Sequence, residues 1–263
     1  MSESDGFALT KWYLDCVDPA GRAAVAYWAA LSWRGLSLLW QNVTRYDPGR
    51  TPVEHSSLAR VGPPVRDGEM LTWHSEPLGC SVELRPRRPA LEVRLLGDDR
   101  GAVDWRCETG GTDATFQVGG ERLTGRGYAE RLVLTLPPWR IPIRELRWGR
   151  WIARDADRSV VWIDWRGSHP ATWVLVDGAL VPEATVSDAA VRAGDLALDL
   201  TEPRTLHERS LDRVVNAIAP LQGLLPASLL ALRECKWLSA GECRSAAAAP
   251  LAGWAIHELV VFP

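Results

Sequence analysis

Three strings of this sequence return in the same order roughly half a chain later, and that repetition constrains the fold more than any single motif. Lys11-Trp12 recurs as Arg147-Trp148, and Ser32-Trp33-Arg34-Gly35 recurs as Asp164-Trp165-Arg166-Gly167, with Trp40 and Trp173 behind them. Tyr128-Ala129-Glu130-Arg131-Leu132-Val133 recurs as Ile256-His257-Glu258-Leu259-Val260-Val261. The offset drifts by only a few residues, as expected for two copies of one unit. Each copy opens on a basic-Trp strand, turns at Trp-Arg-Gly and closes on a strand carrying Glu. Pro137-Pro138-Trp139-Arg140-Ile141-Pro142 lies between them. Its prolines lack backbone donors and hold the chain extended, so it reads as a linker or an edge. The expected domains are residues 1–137 and 146–263, each long enough for a core of its own.

The unit is a β unit. Ser81-Val82-Glu83-Leu84-Arg85 and Leu91-Glu92-Val93-Arg94-Leu95 alternate apolar and charged residues, the period of a strand with one wet and one buried face. Turn signals recur at short intervals: Asp18-Pro19-Ala20-Gly21, Asp47-Pro48-Gly49, Arg66-Asp67-Gly68, Gly110-Gly111 and Gly119-Gly120. The predicted class is all-β, two antiparallel barrel or sandwich halves related by internal duplication. Leu211 to Ala219 and Ala227 to Trp237, the latter preceded by Pro226, predict short helices inserted in the second half near residues 211–237.

Composition removes several functions. The 30 basic and 33 acidic residues are spread without a basic stripe, which argues against nucleic acid as a partner. The acidic start, Met1-Ser2-Glu3-Ser4-Asp5-Gly6, is unlike a signal peptide, and a cytoplasmic location is expected. Ala246 to Ile256 is apolar but interrupted by Pro250 and too short to span a bilayer, so no transmembrane segment is expected. Cys16, Cys80, Cys107, Cys235 and Cys243 lack metal spacing and read as reduced packing residues. His55, His74, His169, His207 and His257 show neither HxH nor HExxH spacing, so no metal is expected. Gly119-Gly120 and Gly125-x-Gly127 precede a strand instead of a helix, which removes a phosphate loop, and no cofactor is expected. The oligomeric state is not encoded in any feature of this kind.

The chain opens on Trp12-Tyr13-Leu14-Asp15 and carries Gly125-Arg126-Gly127-Tyr128-Ala129-Glu130 further on. These are similar to the opening Trp-Tyr-Phe-Asp and the Gly-x-Gly-Tyr-x-Asp strings of the lipocalin-like hydroxyneurosporene synthase, tocopherol cyclase and fungal Diels-Alderase superfamily, which the chain resembles. Leu146-Arg147-Trp148-Gly149-Arg150 and the final Gly253-Trp254-Ala255-Ile256-His257-Glu258 also resemble superfamily strings. The resemblance implies lipocalin-like halves and cofactor-free chemistry on lipophilic molecules. Two departures stand out. Glu130 occupies the place of the usual Asp, and Val103-Asp104-Trp105 lacks the His that carotenoid hydratases carry two residues before Trp.

Tyr128 and Glu130 share a strand face and form the expected acid site. Burial among tryptophans would favour the protonated acid, ready to donate to an alkene or carbonyl. Trp12, Trp33 and Trp105 could offer their faces to a developing cation, and Asp15 would line the same pocket or cap the following turn. The chain holds 14 Trp against 3 Phe and 4 Tyr, and most of these indoles are expected to be plain core. The expected partner is a hydrophobic small molecule, isoprenoid or polyketide-like, hydrated or cyclised in the pocket. The alternatives are a non-catalytic carrier of such a molecule and a collapsed double barrel that serves as an interaction module.

Overall fold

The computed structural model describes residues 6–210, 231–246 and 248–262. They divide into two compact units, Met1–Pro137 and Pro138–Pro263, each built on one antiparallel sheet.

The first unit holds β1 (Ala8–Val17), β2 (Ala23–Trp33), β3 (Leu36–Tyr46), β4 (Val53–Ser57), β5 (Val65–Asp67), β6 (Met70–Ser75), β7 (Cys80–Pro86), β8 (Leu91–Asp98), β9 (Gly101–Val118) and β10 (Glu121–Leu134). Its strand order is β4-β3-β2-β1-β10-β9-β7-β6-β5, with β8 pairing β9 beyond β7. The second unit holds β11 (Ile143–Ala153), β12 (Ser159–Gly167), β13 (Ala171–Val176), β14 (Ala179–Val181), β15 (Thr185–Val186), β16 (Ala190–Ala193), β17 (Leu196–Ser210), β18 (Arg233–Ser245) and β19 (Ala248–Val261), in the order β14-β13-β12-β11-β19-β18-β17-β16-β15. The orders coincide position for position once β7 and β8 are taken together. Pro86 and Pro89 interrupt the ladder between those two strands, whereas β17 runs through the same place as one strand bulged between Thr201 and His207.

Neither sheet closes by hydrogen bonding among the described residues, because β4 and β5, or β14 and β15, are left as edges. In the first unit the sheet curls until β3 faces β6, and the segment between β4 and β5 fills the seam. The indole N–H of Trp28 donates to the Val61 carbonyl (2.8 Å) and that of Trp73 to the Gly62 carbonyl (3.1 Å). Gln41 on β3 donates to the Ala59 carbonyl (3.1 Å) and accepts from the Ser75 hydroxyl on β6 (2.6 Å). Inside lies an apolar core of Trp12, Leu14, Trp28, Leu71, Trp73, Leu84 and Phe116 among others, drawn from alternate positions of most strands. The second unit packs Trp151, Trp162, Val174, Leu198 and Ala255 likewise. Added Cβ atoms at Gly241 or Gly253 would meet the Trp151 ring at 2.6 Å, so these strand glycines make room for an indole.

Two expectations change. Gly110-Gly111 is not a turn: it lies within β9, as the unpaired stretch of a bulge between Thr109 and Thr112. The expected helices fall mostly on residues 211–230, outside the described residues, but Arg233 to Trp237 is strand. There Cys235 faces Leu259 on one side and Glu208 on the other, and two-sided pairing overrides a composition that favours helix.

Gln41 is buried and serves two strands and the seam, so Gln41→Leu strands the Ala59 carbonyl and the Ser75 hydroxyl. A loss of about 1–3 kcal/mol is expected, read as a lower urea midpoint with unchanged m-value.

Candidate acid site on β1, β9 and β10

The site follows from register. β1 pairs β10 with Tyr13 opposite Glu130 and Asp15 opposite Tyr128; β2 sets Tyr27 opposite Tyr13, and β9 sets Cys107 opposite Glu130 and Trp105 opposite Leu132. Residues directly opposite in a ladder share a face, so these side chains gather on the face turned away from the first unit's core. Two Tyr-x-acid strings thus lie antiparallel against each other.

Within the patch, the Tyr128 hydroxyl donates to Glu130 Oε2 (2.8 Å) and the Trp105 indole N–H donates to the same oxygen (2.6 Å). Two donors on one oxygen fix the plane of the carboxyl group. Alongside, the Tyr13 hydroxyl donates to Asp15 Oδ2 (2.8 Å). Tyr13 packs on Tyr128 with ring centroids 6.1 Å apart and meets Tyr27 edge-on at 5.2 Å. Asp15 and Tyr128 are fully buried, and Glu130 is half-buried. Burial, and then the neighbouring Glu130 charge, holds the Tyr128 phenol well above its usual range, so it stays a proton donor. The same two causes push up the Cys107 thiol, which stays uncharged.

Of the residues expected from sequence, Tyr128, Glu130, Trp105 and Asp15 come together here. Trp12 and Trp33 do not. Trp12 neighbours Tyr13 in sequence and so points the other way, into the core, beneath the Arg131 guanidinium at 5.6 Å. Trp33 shares the face of Tyr27 but lies six residues further along β2, roughly 20 Å away at strand rise. There it meets the edge of Phe7 at 6.5 Å and the Arg34 guanidinium at 4.8 Å. Tyr27 and Cys107 carry no motif that marks them, and only strand pairing reveals them. The cavity of about 360 Å³ beside Val43, Arg45, His55, Leu78 and Val118 lies elsewhere in the first unit.

The second unit places different side chains at the same positions. In its register Trp148 and Lys236 stand opposite Glu258, where the first unit has Tyr13 and Cys107 opposite Glu130. The repeat therefore aligns Tyr13, not Trp12, with Trp148. Lys236 is buried, ion-paired with Glu258, and holds its ammonium 4.9 Å from the centre of the Trp148 ring. Glu258 is thereby a neutralised structural carboxylate. On the other face, His257 Nε2 lies 2.8 Å from the Ser239 hydroxyl, and burial with the nearby Lys236 charge lowers the His257 pKa to about 4.

No family model matches the chain. A stretch of 123 residues, 47% of this chain, is 28% identical to mouse SCO-spondin, but the chain spans only 2% of the length of that protein. Solved structures cover nearly all of it. An AttH-type protein, NE1406 of Nitrosomonas europaea, has a TM-score of 0.60 at 14% identity, covering 98% of this chain and 93% of that one. Kievitone hydratase from Nectria haematococca has a TM-score of 0.55 at 9% identity over 100% and 92%. CghA, solved alone and with Sch210972, has a TM-score of 0.55 at 11% identity over 98% and 89% in the ligand-free form. These likenesses establish the fold: an all-β, lipocalin-like architecture in two halves.

Two measurements follow. Lys236→Met leaves a buried carboxylate unpaired and is expected to cost about 3–5 kcal/mol, most of it recovered in the Lys236→Met/Glu258→Met double variant, by chemical denaturation. His257 has a folded pKa depressed below the usual 6.5, so its contribution is present above pH 6.5 and lost as the pH falls towards 4, where only the unfolded chain gains the proton. The loss is roughly 3 kcal/mol at most, and His257→Gln is expected to flatten that part of the stability-pH curve.

Proposed function

We propose that this chain is a cofactor-independent enzyme that hydrates or cyclises a lipophilic, isoprenoid or polyketide-like molecule by proton transfer, with Glu130 and Tyr128 as its acid pair. The observation that carries the reading is the convergence of Tyr128 and Trp105 on one oxygen of Glu130, beside a second tyrosine-carboxylate pair at Tyr13 and Asp15. The fold shared with a hydratase supports it by analogy only.

The chemistry balances without a cofactor. Glu130 takes up a proton and then donates it to the terminal carbon of an alkene, and a carbocation forms at the neighbouring carbon. Water, or an internal π bond in a cyclisation, closes on that cation. The proton released returns to the Glu130 carboxylate, which completes the cycle. Tyr128, held as a phenol, keeps the carboxyl group oriented and supplies a hydrogen bond as charge develops on it. Trp105 presents an indole at the same carboxyl, close enough for its face to meet the cation. Asp15 would line the site and, through Tyr13, order the ring stack against Tyr128.

The test uses protein purified with the extract of its native host, its bound lipophile identified by native mass spectrometry. Wild-type protein is expected to convert that molecule, while Glu130→Gln slows conversion by about 10²–10⁴-fold and Tyr128→Phe by less. An identical ligand, unchanged in form, in wild type and Glu130→Gln would identify a carrier and overturn the assignment.

A further inference from the structure

The inward face of the first unit carries a second charged constellation, on the side of the β9-β10 ladder opposite Glu130. Arg106 on β9 stands directly opposite Arg131 on β10, an arrangement of like charges that costs stability unless an anion lies between them. Arg66 on β5 joins them, and all three point at Glu108: Arg106 at 3.0 Å, Arg131 at 3.9 Å and Arg66 at 4.0 Å. The Glu108 side chain is only 7% exposed, whereas the three arginines retain 33% to 37% of theirs. Among the described residues, the one further acid in the cluster is Glu92, 57% exposed and 3.1 Å from Arg106. Three guanidiniums thus face two carboxylates, and positive charge is in surplus.

Hydrogen bonding is also incomplete. The Nε groups of Arg106 and Arg131 are buried without an aligned acceptor among the described residues, although Arg106 Nε is within ion-pair distance of Glu108. Buried guanidinium donors of this kind call for an oxyanion. The same row continues across the sheet as Arg106, Arg131, Trp12, Trp28 and Gln41, each opposite the next. Arg131 already lies over the Trp12 ring at 5.6 Å, and Trp28 is two strand spacings, roughly 10 Å, beyond Arg131. Both indoles are 7% exposed, and partly buried Ala30, Leu39 and Val61 pack against the same core cluster.

We propose that Arg66, Arg106 and Arg131 form a site for the carboxylate of an amphiphilic organic acid, whose apolar body runs along the small exposed edges of Trp12 and Trp28, with Glu108 as the resident anion that such a carboxylate competes with. The site is separate from the Glu130 acid pair and does not rest on it.

Calorimetric titration of the full chain with decanoate and with decan-1-ol tests this, each variant first checked by circular dichroism and thermal melting. Decanoate is expected to bind about tenfold or more tightly than decanol, and Arg131→Gln to remove that preference while leaving decanol binding unchanged. Glu108→Gln, which removes the competing charge, is expected to tighten decanoate binding and weaken its dependence on salt. Should Glu108→Gln fail to fold, the partly exposed Arg131 and Arg106 variants carry the test. Equal affinity for the acid and the alcohol, or decanoate affinity untouched by Arg131→Gln in folded protein, would overturn the site.

Discussion

The pairing of the first strand of each unit with its last is the constraint from which the rest follows. β1 lies against β10 and β11 against β19, so the middle of each sheet is built from residues a hundred or more positions apart in sequence. Antiparallel register then fixes which side chains meet. A shift by one residue would turn Glu130 and Tyr128 into the core and expose Trp12, so the apolar lining that holds the core also holds the acid site in place. The core and the candidate site are two faces of one ladder here, and the inward row of Arg106, Arg131, Trp12 and Trp28 is set by the same pairing.

The two units keep a common strand order and have parted in side-chain chemistry. Opposite the last-strand glutamate, the first unit sets a tyrosine and a thiol, and the second sets a tryptophan and a lysine. The first unit's carboxyl accepts from a phenol and an indole on one oxygen. The second unit's is ion-paired with a buried ammonium, and removing either partner costs stability. The two sheets share one strand order, and the side chains opposite the last-strand glutamate distinguish them.

The fold was largely legible because strand alternation and the repeated Trp-rich strings are local signals. Tyr128 and Glu130 were legible for the same reason, since two positions on one strand share a face whatever the partner. Trp12 and Trp33 lie away from the Glu130 patch for physical reasons. Adjacency to Tyr13 guarantees that Trp12 points the opposite way, and the distance from Trp33 to Glu130 depends on a register that no short string encodes. Tyr27, Cys107 and the open seam between β4 and β5 depend on long-range pairing and lay beyond reach. The Leu- and Ala-rich stretch ending at Trp237 read as helix because local propensity is blind to the two neighbours that make Arg233 to Trp237 a strand.

Delivery of a proton from Glu130 to carbon is tested most directly by running the conversion of the co-purified lipophile in deuterium oxide and locating the label by mass spectrometry. Acid-promoted hydration or cyclisation predicts one deuterium on carbon in the wild-type product and none with Glu130→Gln. Product formed without carbon-bound deuterium, or label retained in Glu130→Gln, would contradict it.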